Sequence, residues 1–161
     1  MAKKKGTKRK AAPGDVATNR QASYRYSLLE RYECGMQLQG SEVKSIRNGG
    51  VQIKDAYATL TGDEVWLHNM HIAPYEPAAR AGHEPERARK LLLHRKEIEH
   101  LIDSTKEKGL TLVPTRVYFK GSRAKVEIAL ARGKAFVDKR RDLKAKDQSR
   151  EIDRALSERG R

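Results

Sequence analysis

One cysteine, Cys34, occurs in the 161 residues, so an intramolecular disulfide is impossible and a multi-thiolate zinc site is excluded. Such a chain suits a reducing compartment, and a cytoplasmic protein is expected. No apolar stretch approaches the roughly 20 residues of a membrane span. The basic start runs into Pro13, Gly14 and Asp15 instead of an apolar signal core. The five histidines do not pair at chelating spacings: His68 and His71 fall on opposite faces of a predicted strand, and His94 and His100 are poorly spaced on a predicted helix. Neither Gly121 nor Gly133 has the companion glycines of a phosphate-binding loop. Cys34 stands in an alternating strand register, where a small buried hydrophobe is the ordinary reading. With no metal site, no cofactor motif and no acid–base pair at convincing spacing, catalysis is not expected.

Acids are also in short supply, 21 against 35 lysines and arginines, which leaves +14 at pH 7. That surplus draws polyanions through phosphate contacts and counterion release, so nucleic acid is the default partner. The charge is uneven: residues 1–20 hold seven basic residues and one acid, 21–137 nineteen and fourteen, and 138–161 nine and six. The length suits one ordinary domain with polar ends. Residues 1–18 are expected to form a basic disordered arm, whose run from Lys3 to Lys10 either solubilises the chain or touches RNA.

Between the ends the pattern is mostly that of strands. Tyr24, Tyr26 and Leu28 alternate in one register, and Tyr32, Cys34, Met36 and Leu38 in another, so a long strand with a bulge near Leu28 and Leu29 is predicted. Ser41 is placed to cap a short helix over Glu42–Asn48, stopped by Gly49-Gly50. Val51–Thr59 and Val65–Ile72 read as a hairpin about Thr61-Gly62-Asp63. Ala73–Pro85 reads as a loop. Glu86–Lys108 predicts the longest helix, with Leu91, Leu92, Ile98, Leu101 and Ile102 on one stripe. Leu110–Lys120 and Arg123–Ala131 make a second hairpin at Gly121-Ser122, with a bulge or edge at Pro114. The fold class expected is mainly β with α: a five-stranded OB-like barrel over 19–132, with a short helix after strand 1 and a long helix between strands 3 and 4.

Residues 133–161 carry too few large apolar groups for a core. They predict a basic tail, disordered when free and helical on a partner.

Several blocks resemble the SsrA-binding protein family: Glu33-Cys34-Gly35-Met36-Gln37-Leu38-Gln39-Gly40-Ser41-Glu42-Val43-Lys44-Ser45-Ile46-Arg47, Arg87–Arg95, Gly109–Pro114, and Gly133-Lys134 followed by Asp138-Lys139-Arg140. They run in order from about Asn19 through the tail. The resemblance implies a monomeric OB-like body bound one-to-one to the transfer-RNA-like part of transfer-messenger RNA, filling the space of an anticodon stem. It also implies a tail that enters the empty messenger channel at the decoding site of the small ribosomal subunit. A general single-strand-binding or ribosomal OB protein fits the charge and strand pattern equally well.

By the resemblance, Asn19, Glu33 and Leu92 match RNA-binding positions. Asn19 and Glu33 suit base edges but also a turn and a solvated surface, and Leu92 also suits simple packing. Charge and position add Arg20, and the groups Lys44 with Arg47 and Arg87 with Arg89 and Lys90, the latter at the start of the long helix, as a track for phosphate. Tyr24 or Tyr26, whichever faces outward, can stack on a base. By the same resemblance, Gly133, Lys134, Phe136, Asp138, Lys139 and Arg140 are expected to form the ribosome-facing part of the tail. The chain departs from the family in one place: Val137 stands where a His or Tyr usually precedes Asp-Lys-Arg.

Overall fold

A computed structural model of the chain describes residues 14–107 and 109–159, so most of the arm expected over 1–18 lies outside the described residues. The described elements are β1 (Asp15–Thr18), a one-turn helix α1 (Ala22–Arg25), β2 (Tyr26–Met36), α2 (Gly40–Arg47), β3 (Val51–Gln52), β4 (Tyr57–Thr61), β5 (Glu64–His68) and β6 (His71–Ile72). After a 3-10 turn (Glu76–Ala81) come β7 (Arg89–Leu92), α3 (Arg95–Thr105), β8 (Leu110–Lys120), β9 (Arg123–Gly133) and α4 (Phe136–Arg159). The structure is a mainly β sheet with a few helices. Its large sheet runs β1-β8-β4-β5-β7-β2-β9, and β8 pairs in addition with β9. β3 and β6 form a separate two-stranded ladder.

The expectation of five strands is corrected to nine among the described residues. Two predicted strands each break in two, Asp15–Thr18 leaves the supposed arm to pair with β8, and Arg89–Leu92 leaves the supposed long helix. This last correction has a clear cause. Arg89 and Leu91 are buried, while Lys90 and Leu92 point away, a period of two that inserts β7 between β5 and β2. The helix starts only after His94, whose side chain accepts from the backbone N–H of Glu97, while Glu97 accepts from the His94 N–H at 2.9 Å.

Local signals elsewhere translate directly. The register of β2 against β9 shifts between Leu28 and Glu30, where the alternation changes phase, and that of β8 shifts between Pro114 and Arg116. A proline offers no N–H to a ladder, so the bulge sits where one is missing. Tyr24, however, belongs to α1 and not to the strand. α2 is capped by Gln39 and Glu42, which exchange hydrogen bonds with each other's backbone, instead of by Ser41. The chain leaves α2 through Gly49 at φ 79° and Gly50, where a Cβ would fall 2.6 Å from Ser45 Oγ, so no larger residue fits without displacement.

Cys34, Ile46, Val65, Leu67, Met70, Ile72, Leu101, Val117, Val126 and Ile128 are fully enclosed between the strands, α2 and α3. β8 and β9 also bury Val113 and Ala131 on a second face, beneath Ala22 of α1. Asn19 locks that cover down. Its backbone N–H donates to Thr115 at 2.7 Å, its amide donates to Ile53 and Pro114 carbonyls at 3.3 and 3.1 Å, and its carbonyl accepts from Ala22 N at 3.2 Å. Asn19→Ala removes all three side-chain contacts, leaving Ile53 O only its bond from Ala56 N–H and Ala22 N–H only the Asn19 backbone carbonyl, and is expected to cost about 2 kcal/mol, read as a lower denaturant midpoint at unchanged m-value.

The tail emerges as α4, exposed along almost its whole length, with Phe136, Val137, Leu143, Ile152 and Leu156 uncovered. No helix among the described residues is long and apolar enough to cross a membrane.

Candidate nucleic-acid interface

A groove of about 580 Å³ lies where β2, β7 and the β8–β9 turn meet. β2 contributes Glu33, Gly35 and Met36, β7 contributes Leu92 with His94 beyond it, and the hairpin contributes Arg123 and Lys125. Gly35 faces Leu92 on one side and Lys125 on the other. A Cβ at Gly35 would approach Leu92 Cβ to 3.3 Å, so glycine lets the leucine lie close over β2. Leu92 is 53% exposed, so simple packing does not account for it. A large aliphatic side chain left half-open beside cations offers apolar contact to a sugar or base face.

Glu33 is oriented from three sides. Tyr118 donates its hydroxyl at 2.5 Å, and Lys120 and Lys125 approach to 3.2 and 3.7 Å. These partners, Tyr118 first, hold the carboxyl below the usual carboxylate range, while burial and the adjacent carboxylate push the Tyr118 hydroxyl up to about 12. At neutral pH the pair is therefore an ionised acceptor and a protonated donor. A carboxylate has lone-pair sites beyond those three contacts, so it can still accept from a base amino group. Tyr118, Lys120, Arg123 and Lys125 were not anticipated. Their signal was available: Arg123 and Lys125 alternate onto one face immediately after a glycine turn.

The other expected residues scatter. Asn19 is 7% exposed and committed to the hydrogen bonds above, so it acts as a clasp and does not present a base-reading edge. Arg89 is corrected outright: it is fully buried, with its guanidinium on Glu42 at 2.8 Å, on Met70 O at 2.6 Å and on Pro85 O at 3.0 Å. Arg87 shares Glu42 at 2.6 Å and also reaches Gln37 O, and Lys90 pairs with Glu64. The supposed phosphate track at the start of the long helix is thus chiefly an internal ion network. Lys44 and Arg47 do stay exposed, over the rings of Tyr75 and Phe119 at 5.5 and 5.6 Å. Tyr24 is exposed on α1 and Arg20 precedes that helix at the surface, whereas Tyr26 is half-buried.

In the tail, Gly133 closes β9 opposite Tyr26. The Lys134 ammonium donates to Ser23 O at 2.8 Å and pairs with Asp142, so it fastens α4 to α1 instead of standing free for phosphate. Asp138, Lys139 and Arg140 occupy the first turn of α4, with Arg140 stacked 4.4 Å over Phe136.

Burial pushes the Cys34 thiol up to about 12, which leaves it protonated and unsuited to nucleophilic attack. No group of three or more potential metal-ligating side chains occurs among the described residues.

Comparison with known proteins bears directly on this arrangement. Residues 16–158 match the family described as SmpB protein. The SsrA-binding protein of Sulfurihydrogenibium sp. (strain YO3AOP1) is 56% identical over 141 residues, 88% of this chain and 93% of its own. That of Geobacillus thermodenitrificans (strain NG80-2) is 54% identical over 144 residues, 89% and 93% respectively. A solved chain from work described as "tmRNA-SmpB: a journey to the center of the bacterial ribosome" superposes with a TM-score of 0.63 at 45% identity, covering 74% of this chain and 85% of that one. The groove, the basic charge and the tail are therefore those of a member of the SmpB family, the SsrA-binding proteins, and this chain belongs to that family.

Proposed function

We propose that this chain binds the transfer-RNA-like part of transfer-messenger RNA and carries it to stalled ribosomes, where the nascent peptide is tagged for degradation. It does so as a non-enzymatic cytoplasmic monomer. The observation that carries this reading is the groove: an oriented, ionised Glu33 beside half-exposed Leu92, ringed by Lys120, Arg123 and Lys125. A carboxylate alone would repel RNA. Held among cations that track phosphate, it becomes a selector for base amino groups.

The body over 19–132 is read as an OB-like barrel. Its support is the pairing cycle β8-β4-β5-β7-β2-β9, which ends on β8 again, since closure removes the free edges of the sheet. The tail over 133–161 is read as disordered when free and helical in the messenger channel, because a helix as exposed as α4 gains little beyond its own hydrogen bonds without a partner to pack on. Asp138, Lys139 and Arg140 meet ribosomal RNA at the decoding site in this reading, and the tail reports that messenger is missing.

The test is binding to transfer-messenger RNA at physiological salt against excess unrelated single-stranded RNA, for the intact chain and for a version ending at Arg132. Selective binding within about threefold for the two is expected, because the groove is complete before α4 begins. Binding with no preference between the RNAs would favour a general single-strand-binding protein.

A further inference from the structure

α2 separates two concave surfaces. Leu38 and Val43 line the Glu33–Leu92 groove, while their neighbours Gln39 and Lys44 line a second cleft of about 350 Å³, closed on its far side by Tyr75, Pro77 and Ala78. This cleft combines an aromatic face, one exposed cation and an amide. The Lys44 ammonium lies 5.5 Å from the Tyr75 ring centroid, and among the described residues no carboxylate pairs with it. The nearest acid of the helix, Glu42, is fully buried and engaged by Arg87 and Arg89, so it offers Lys44 nothing and repels no anion. The Gln39 side chain accepts from the Glu42 backbone N–H in the helix cap, which leaves its NH₂ end as a donor in the cleft.

We propose that the Lys44–Tyr75 cleft is a second RNA subsite, taking one unpaired base and its phosphate from the strand that occupies the main groove; this rests on the RNA-binding reading above. In the free chain the ammonium covers the ring. An exposed cation–π contact is weaker than a base stacked on an aromatic face, so an incoming base displaces the lysine from Tyr75. The freed ammonium then pairs with the phosphate of the same nucleotide, and the Gln39 NH₂ donates to a ring nitrogen or carbonyl of the base. Stacking needs no particular base, so the subsite adds affinity and fixes the path of the strand around α2. Selection stays with Glu33. RNA is the occupant that fits: one cation beside one ring matches one nucleotide, and the cleft continues a surface already assigned to a polyanion.

The experiment compares wild type with Tyr75→Ala, Tyr75→Phe, Lys44→Ala and Lys44→Arg in the full chain, by affinity for transfer-messenger RNA across a salt series and by melting temperature. Tyr75→Ala is expected to weaken binding about 5- to 100-fold, with Tyr75→Phe within about twofold of wild type. Lys44→Ala should lower the salt slope by about one, and Lys44→Arg should keep it. Tyr75 borders the cleft and Lys44 is exposed, so melting temperatures should hold; if Tyr75→Ala melts early, the lysine pair decides through the salt slope alone. Selective wild-type binding with Tyr75→Ala and Lys44→Ala both within twofold and an unchanged slope overturns the subsite and leaves the functional reading intact. Wild type without preference for transfer-messenger RNA overturns both.

Discussion

Replacing Glu42 with alanine is expected to destabilise the fold by about 3–5 kcal/mol, measured by urea unfolding. The reason is geometric. Glu42 and Arg89 are both fully buried, and Glu42 takes hydrogen bonds from Arg87, Arg89 and the Gln39 backbone. Removing the carboxylate strands a buried guanidinium and opens the α2 cap in one step. Replacing Glu42 and Arg89 together by apolar residues of similar size should cost less than the single change, because a buried pair is expensive mainly when half of it remains. The pH dependence follows from the same contacts. Burial pushes the Glu42 carboxyl up, but Arg87, Gln39 and Arg89 outweigh it and hold it below the ordinary value. A lowered folded-state value means that this stabilisation is complete above the unfolded carboxylate range, near ~4.3, and is lost as pH falls through the folded value. Glu42→Gln should therefore flatten the acid limb of the stability curve relative to wild type. Equal acid slopes would show that Glu42 is not held ionised by its neighbours.

Substituting Lys139 and Arg140 together by alanine is expected to leave transfer-messenger RNA affinity within about twofold while lowering peptide tagging on stalled ribosomes by at least about tenfold, the scale of one or two lost charge-assisted contacts. Both residues lie on the first turn of α4, beyond the last strand, and neither lines the Glu33–Leu92 groove. Arg140 rests on the exposed Phe136 ring, a contact light enough to exchange for a phosphate. The two assays separate the roles: RNA binding tests the body and tagging tests the tail. Parallel loss of both would mean that the tail takes part in RNA binding, and the division between residues 19–132 and 133–161 would fall.

Much of the strand order was legible because its signals are local. The phase change at Leu28 and Leu29, the proline in β8, the glycine turn at Gly121 and the Gly49-Gly50 stop each act within a few residues, and each reappears as a bulge, a turn or a helix end. The family blocks place the chain from sequence alone, since several ordered blocks constrain one another. What misled was charge. Arg87-Ala88-Arg89-Lys90 reads as a solvated basic face, and the partner that makes Arg89 a core residue, Glu42, lies 47 positions away. Nothing near either residue announces the other.

By itself the sequence determined the basic charge that selects a polyanion, the single thiol that rules out a disulfide, the alternating and helical segments, and the family. These follow from composition and short-range periodicity, which need no knowledge of what packs on what. Only the tertiary structure decided that Arg89–Leu92 is a strand, that Asn19 is a clasp, that Lys134 is an anchor, and that Leu92 is left half-open beside Glu33, Arg123 and Lys125. Each of these depends on which strands become neighbours, and that is settled by how the whole chain buries its apolar surface while pairing nearly all of its buried polar groups, a balance no local segment contains.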